Sequence, residues 1–215
     1  HRQNNLKNFN ILKKLKFDGI EIDLRSSDKK IIINHDPFKK SLDFLKKIKS
    51  FKKFFLIIDI KSYGISFKVY KYLISKKFKF LLLNLTQPEF FEMISKGVSK
   101  NLFLRYSIYE KLNFNQKKIN KINWIWVDFF ENYFLPKKDF LYFKKFKKKI
   151  CLTSPDLVGK PKSEIKRYIK YLNNNSIKVD MVCVKQKNIG EISSGSNLVG
   201  KTDKRKQTSW PNNMT

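Results

Sequence analysis

Glu21 and Asp23 stand two residues apart in the apolar run GIEIDLR, and Asp59 and Lys61 repeat that spacing in LIIDIK. On a strand, residues two apart share one face, so each pair presents its polar groups together. Glu21, Asp23 and Asp59 offer hard oxygen donors, the ligand type chosen by Mg²⁺ or Ca²⁺. The two histidines of the chain are His1 and His35, and imidazole is the side chain best suited to proton transfer near neutral pH. Arg2 and Lys61 supply positive charge for phosphate oxygens. Phosphodiester cleavage needs charge neutralisation at phosphorus, a base for the nucleophile and an acid for the leaving oxygen. This residue set contains all three.

Each element alone has a plainer reading. An E-x-D on a strand is often a solvated face, a single His is more often structural, and Asp59 with Lys61 reads equally as an inward ion pair. His1 has a trivial alternative as the remnant of an affinity tag. The joint reading rests on the order in which both histidines and all three acids occur.

Short apolar runs that could position these groups recur at 19–25, 31–34, 54–61, 78–85, 101–107, 123–130, 148–154 and 181–185. They are rich in Ile, Val, Phe and Leu and too short for helices, so they predict buried strands. Helical spacing lies between them: Leu6, Phe9, Leu12 and Leu15; Phe67, Tyr70 and Ile74; and Ile165, Tyr168, Ile169 and Leu172 after Pro161 and Ser163. Strands alternating with helices predict right-handed βαβ units in an α/β fold. With 31–34 pairing locally on 19–25, seven helix-separated strands remain. A TIM (β/α)8 barrel whose first strand lies upstream of His1 is the expected architecture. Active sites of such barrels sit at the C-terminal strand ends, where Arg105, Trp126, Asp128 and Lys185 join as pocket candidates; Trp124 and Trp126 read first as packing. Residues 1–185 are expected to form this domain, and 186–215 a polar, mobile tail.

The formal net charge of +29 ordinarily suggests nucleic acid or an anionic membrane surface. Only five of the 47 basic residues are Arg, however, and Arg is the residue that reads phosphates and bases through two parallel bonds. Abundant Lys, Asn, Ile and Phe share AT-rich codons, so a solvated Lys surface explains most of the charge. A small phosphodiester is the expected partner, nucleic acid is not, and contact with anionic surfaces stays open. Cys151 and Cys183 sit in apolar runs without metal-ligand spacing and read as buried thiols. No run approaches a membrane span, and no signal peptide is visible; the expected compartment is the cytoplasm.

The order of these motifs resembles the glycerophosphodiester phosphodiesterase family, within the phosphatidylinositol-specific phospholipase C-like superfamily of TIM barrels. HRQ is similar to the family's opening His-Arg-Gly, GIEID to its G-x-E-x-D, IIINHDP to its later His-Asp, and DIK to its E-x-K. The resemblance implies His1 and His35 as the acid and base, Glu21, Asp23 and Asp59 as ligands of a divalent metal, and Arg2 and Lys61 as phosphate contacts. It also implies attack by an adjacent substrate hydroxyl through a cyclic phosphate. RYSIYE at 105–110, WVDFF at 126–130 and SPDLVG at 154–159 resemble a poorly characterised branch of the superfamily. Gln3 in place of Gly, a shortened segment before Glu21, and Asp59 in place of Glu depart from the pattern. Two alternatives accompany this reading: a sphingomyelinase D-like phospholipase lyase, favoured by apolar groups at the barrel mouth, and a catalytically inactive basic protein that binds an anionic polymer.

Overall fold

The computed structural model describes residues 1–4, 18–28, 30–38 and 42–194. The expected helix through Leu6, Phe9, Leu12 and Leu15 lies outside them, as does 195–215. Nine strands are described: β1 Gly19–Ser27, β2 Lys30–Ile33, β3 Leu42–Asp43, β4 Phe55–Ile60, β5 Phe80–Leu83, β6 Phe103–Tyr106, β7 Trp124–Val127, β8 Lys149–Thr153 and β9 Met181–Cys183. Every apolar run singled out from sequence contains one.

β1 turns back into β2 as an antiparallel hairpin that β3 extends, so the run at 31–34 pairs locally and leaves the barrel count unchanged. The remaining strands run parallel in chain order. β1 pairs with β4 and β4 with β5. β6 to β9 form a second continuous ladder, and a single parallel bridge, Leu82 to Leu102, links the two sets. Helices Ser66–Ser75, Gln87–Ser95, Lys137–Lys145 and Lys162–Asn174 fall between successive parallel strands. The molecule is thus an α/β fold of the TIM-barrel type. Residues 1–4 span the remaining interval: Gln3 N donates to Glu21 O of β1 (2.8 Å), and His1 N donates to Val184 O just past β9 (3.1 Å).

The period of two along each strand sorts the core into two layers. Ile20, Ile22, Leu24, Leu56, Ile58 and Ile60 face outward into the layer shared with the helices. Ile57, Leu81, Leu83, Phe103, Trp124, Trp126, Cys151 and Cys183 fill the barrel interior, where Phe103 sets its edge against both indoles. Trp124 and Trp126 are therefore packed in the interior, and both cysteines are free, buried thiols. Burial pushes the Cys183 thiol up to about 12, so it stays protonated and inert.

Gly19 is needed at the base of β1: a Cβ there would sit 2.6 Å from Phe55 O, a backbone atom that cannot swing aside. Glu89 on the helix Gln87–Ser95 reaches back to the preceding one, its Oε1 accepting from Gly64 N and Ser66 N, each at 3.2 Å. It satisfies N–H groups that the start of a helix leaves unpaired. Residues 186–194, assigned to the tail from their polarity, instead form a 3₁₀ turn, Gln186–Asn188, and a short helix, Ile189–Ser194. The physical reason is Asn188, which is buried and donates to Asp156 Oδ2 at 2.7 Å. One polar anchor does there what apolar periodicity does elsewhere.

Candidate active site

Glu21 and Asp23 project from β1 into the barrel interior, and Asp59, paired in register with Asp23, joins them from β4. Their side chains are 2%, 0% and 7% exposed, and one carboxylate oxygen from each lies within 4.8 Å of the others. Three buried carboxylates this close repel one another and lose hydration, so cations and donors must offset them.

Lys61 provides the nearest charge, its Nζ at 2.6 Å from Asp59 Oδ2 and 3.5 Å from Asp23 Oδ1. Asn84 Nδ2 donates to Asp59 Oδ1 at 2.8 Å. Asn4 brackets Asp23, donating Nδ2 to Oδ2 (2.7 Å) and accepting the Asp23 N–H on Oδ1 (2.9 Å). The Arg2 N–H donates to Glu21 Oε2, and His1 Nε2 lies 3.7 Å from the same oxygen. These partners do not fully balance the site. Burial, reinforced by Asp23 and Asp59, pushes the Glu21 carboxyl up to about 8. Burial also raises Asp59, against the lowering pull of Lys61. Glu21 Oε1 and Asp23 Oδ1 accept no hydrogen bond among the described residues. Two buried carboxylate oxygens without donors, in an all-oxygen set, fit a hard divalent cation.

His35 lies in the turn after β2. Its Nδ1 is 2.8 Å from Asp36 Oδ1, and its carbonyl accepts from Arg25 Nε at 2.8 Å. Arg25 also donates to Lys61 O at 3.2 Å, tying the His35 turn to the end of β4. An ionised Asp36 can only accept, so Nδ1 donates to it and Nε2 is the ring nitrogen turned to other partners. The ring is about a third exposed and makes no hydrogen bond or ion pair with the three acids.

Among the pocket candidates, Arg105 Nε and Nη2 both reach Asp128 Oδ2, at 3.0 and 2.8 Å, while Trp126 Nε1 donates to Oδ1 at 2.9 Å. Burial would lower the Arg105 pKa, but Asp128, with Glu110 and Asp59, holds it above its usual value. These three residues form one hydrogen-bonded group. Arg2 has an exposed side chain, and Lys185 lines a separate cavity beside Asp156. The structure therefore gathers His1, Glu21, Asp23, Asp59 and Lys61 by direct contact, places His35 at the same strand ends through Arg25, and sets Lys185 apart. Asn4 and Asn84 are the additions. Asn84 was visible as a polar residue ending an apolar run; Asn4 carries no signal of its own, because its role depends on how 1–4 lies against β1.

A crystal structure described as a "putative glycerophosphodiester phosphodiesterase" from Galdieria sulphuraria is similar, with a TM-score of 0.63 over 91% of this chain and 92% of that one, at 15% sequence identity. At that identity the likeness establishes the fold. No family model matches the sequence, and no curated protein matches it.

Proposed function

We propose that the chain is a metal-dependent phosphodiesterase that hydrolyses a glycerophosphodiester or a related polar phosphodiester. The observation that carries this reading is the buried cluster of Glu21, Asp23 and Asp59, with two donorless oxygens and His1 beside it. A divalent cation held by these carboxylates supplies charge neutralisation for phosphoryl oxygens. The remaining work falls to side chains of this protein. Lys61, already between Asp59 and Asp23, presents positive charge to a phosphate at the mouth, and Arg2 extends it from the rim. His1 Nε2, next to Glu21, moves one proton, and His35 Nε2, with Nδ1 held by Asp36, moves the other. Arg105, kept charged by Asp128, adds positive charge beside the acids. Roles of acid and base are assigned by the resemblance to His1 and His35 jointly.

A second reading has its own observation. Phe38, Tyr63, Ile108 and Tyr109, all exposed, lie in segments that follow β2, β4 and β6. Apolar loop tips beside a polar site favour a phospholipid over a water-soluble diester, the sphingomyelinase D-like alternative. The test is release of alcohol or phosphomonoester from a panel of glycerophosphodiesters and from phospholipid vesicles. It is run with Mg²⁺, Ca²⁺ or chelator, beside Glu21→Gln and His35→Ala. Metal-dependent turnover of soluble diesters, lost in both variants, supports the first reading; turnover confined to vesicles moves the assignment to the second. No turnover of either by folded, metal-loaded protein removes both.

A further inference from the structure

Strands β1 and β4 to β9 all run the same way, so their N-terminal ends share the end of the barrel opposite the acidic centre. The connections that lead into β4 to β9 are residues 52–54, 76–79, 96–102, 121–123, 146–148 and 175–180. Together they hold eleven lysines and one acid, Asp180, which pairs with Lys144 at 2.9 Å. Ten of the eleven lysines are exposed. Asp18, just before β1, is a second acid at this end, and Lys96 meets Glu92 within its own helix. The connections that follow the same strands, 61–65, 84–86, 107–116, 128–136, 154–161 and 184–188, hold five lysines and four acids, Glu110, Asp128, Glu131 and Asp156. Charge is therefore segregated along the barrel axis: nearly balanced at the end that carries the acidic centre, and strongly positive at the other.

AT-rich codons raise lysine throughout the chain, but they do not sort the acids to one end. Lysines spread over six loops around a rim make a broad positive surface rather than a groove. Arg2, Arg25, Arg105 and Arg167 all lie outside these connections, so the surface lacks the forked donors that read phosphates and bases. Among the described residues the exposed aromatics Phe38, Tyr63 and Tyr109 also stand elsewhere, in segments that follow β2, β4 and β6; single-stranded nucleic acid would use such rings as stacking platforms. The exposed apolar group at the positive end is aliphatic, Ile74, next to Lys76 and Lys77 at the close of the helix Ser66–Ser75. Lysine ammonium groups spread over a broad face suit anionic headgroups, which attract by charge without directional bonds. We propose that this end of the barrel docks on an anionic phospholipid surface. A protein docked in this way turns its acidic centre away from the bilayer and keeps it open to solutes in water. The inference rests on the fold and the placement of charge, and stands or falls independently of the proposed phosphodiesterase.

The test is co-sedimentation of the folded full chain with vesicles of phosphatidylcholine, with and without phosphatidylglycerol. Binding should require the anionic lipid and weaken as added salt screens the charges. Lys52→Gln, Lys79→Gln and Lys121→Gln together should weaken it by at least ~10-fold, since each lysine held near an anionic surface contributes roughly 5-fold. Lys138→Gln, Lys160→Gln and Lys187→Gln together remove the same charge near the other end and should change binding by less than about 2-fold. Glu21→Gln should bind as wild type does. Orientation is read from a polarity-sensitive dye: attached at Ser50→Cys, in the turn before β4, its emission should shift on binding, and attached at Ser163→Cys, at the other end, it should not. Absence of binding to anionic vesicles, equal weakening by the two triple variants, or a dye shift at position 163 instead of 50 overturns the proposal. Salt-sensitive binding to single-stranded DNA without binding to vesicles also overturns it and assigns the positive end to nucleic acid.

Discussion

Replacing Glu21 by Gln should stabilise the metal-free protein at alkaline pH and leave it nearly unchanged in mild acid. The folded-state pKa of Glu21 is raised from 4.5 to about 8 by burial and by Asp23 and Asp59. A raised carboxylate binds its proton more tightly folded than unfolded. Its favourable contribution is complete below the unfolded pKa and is lost as pH rises through the folded one. Across that window wild-type stability should fall by up to roughly 5 kcal/mol, at about 1.4 kcal/mol for each pKa unit. Coupling to the neighbouring acids spreads and reduces the loss, so about 2–4 kcal/mol is the expected observable. Gln keeps the shape without the charge. Thermal melts in chelator from pH 5 to pH 9 should therefore converge at the acid end and separate at the alkaline end, with the variant higher by about 5–15 °C at roughly 2–4 °C per kcal/mol. Parallel curves over the whole range would refute the argument that Glu21 is held protonated by its surroundings.

Three other substitutions test the same site and its support. Lys61→Met leaves Asp59 and Asp23 without their cation and should destabilise the chelated protein by about 3–5 kcal/mol; added Mg²⁺ or Ca²⁺ should recover more melting temperature in this variant than in wild type. Asn84→Ala removes the donor to Asp59 Oδ1 and puts alanine at φ 61°, so about 1–3 kcal/mol should be lost in denaturant titrations. Asn84→Gly, which relieves the backbone but not the carboxylate, should recover only part of it. Gly19→Ala should cost about 1–3 kcal/mol, because the new methyl meets the Phe55 carbonyl across the β1–β4 ladder.

The strand plan was legible because its signal is local. In GIEIDLR, alternation alone sends Ile20, Ile22 and Leu24 to the helices and Glu21 and Asp23 inward, and the structure keeps that division. The meeting of Asp59 with Asp23 was legible only given the parallel register of β4 on β1, which follows from the α/β pattern. Asn4 was harder. It acts from residues 1–4, which form no regular element, and such a contact leaves no periodicity to read. The 3₁₀ turn after Lys185 was missed for a related reason, since it is held by one buried amide, Asn188, on one buried carboxylate, Asp156.

The most direct test of the central claim is titration of the full chain with Mg²⁺ and Ca²⁺ at pH 7, by calorimetry in two buffers of different ionisation enthalpy. A cation held by Glu21, Asp23 and Asp59 should bind saturably and release about one proton, because Glu21 must give up its own. Binding should be lost or severely weakened in Asp23→Asn, and the proton release lost in Glu21→Gln. Heats that do not saturate, or that are the same in wild type and Asp23→Asn, would contradict a metal centre at these residues and with it the proposed phosphodiesterase.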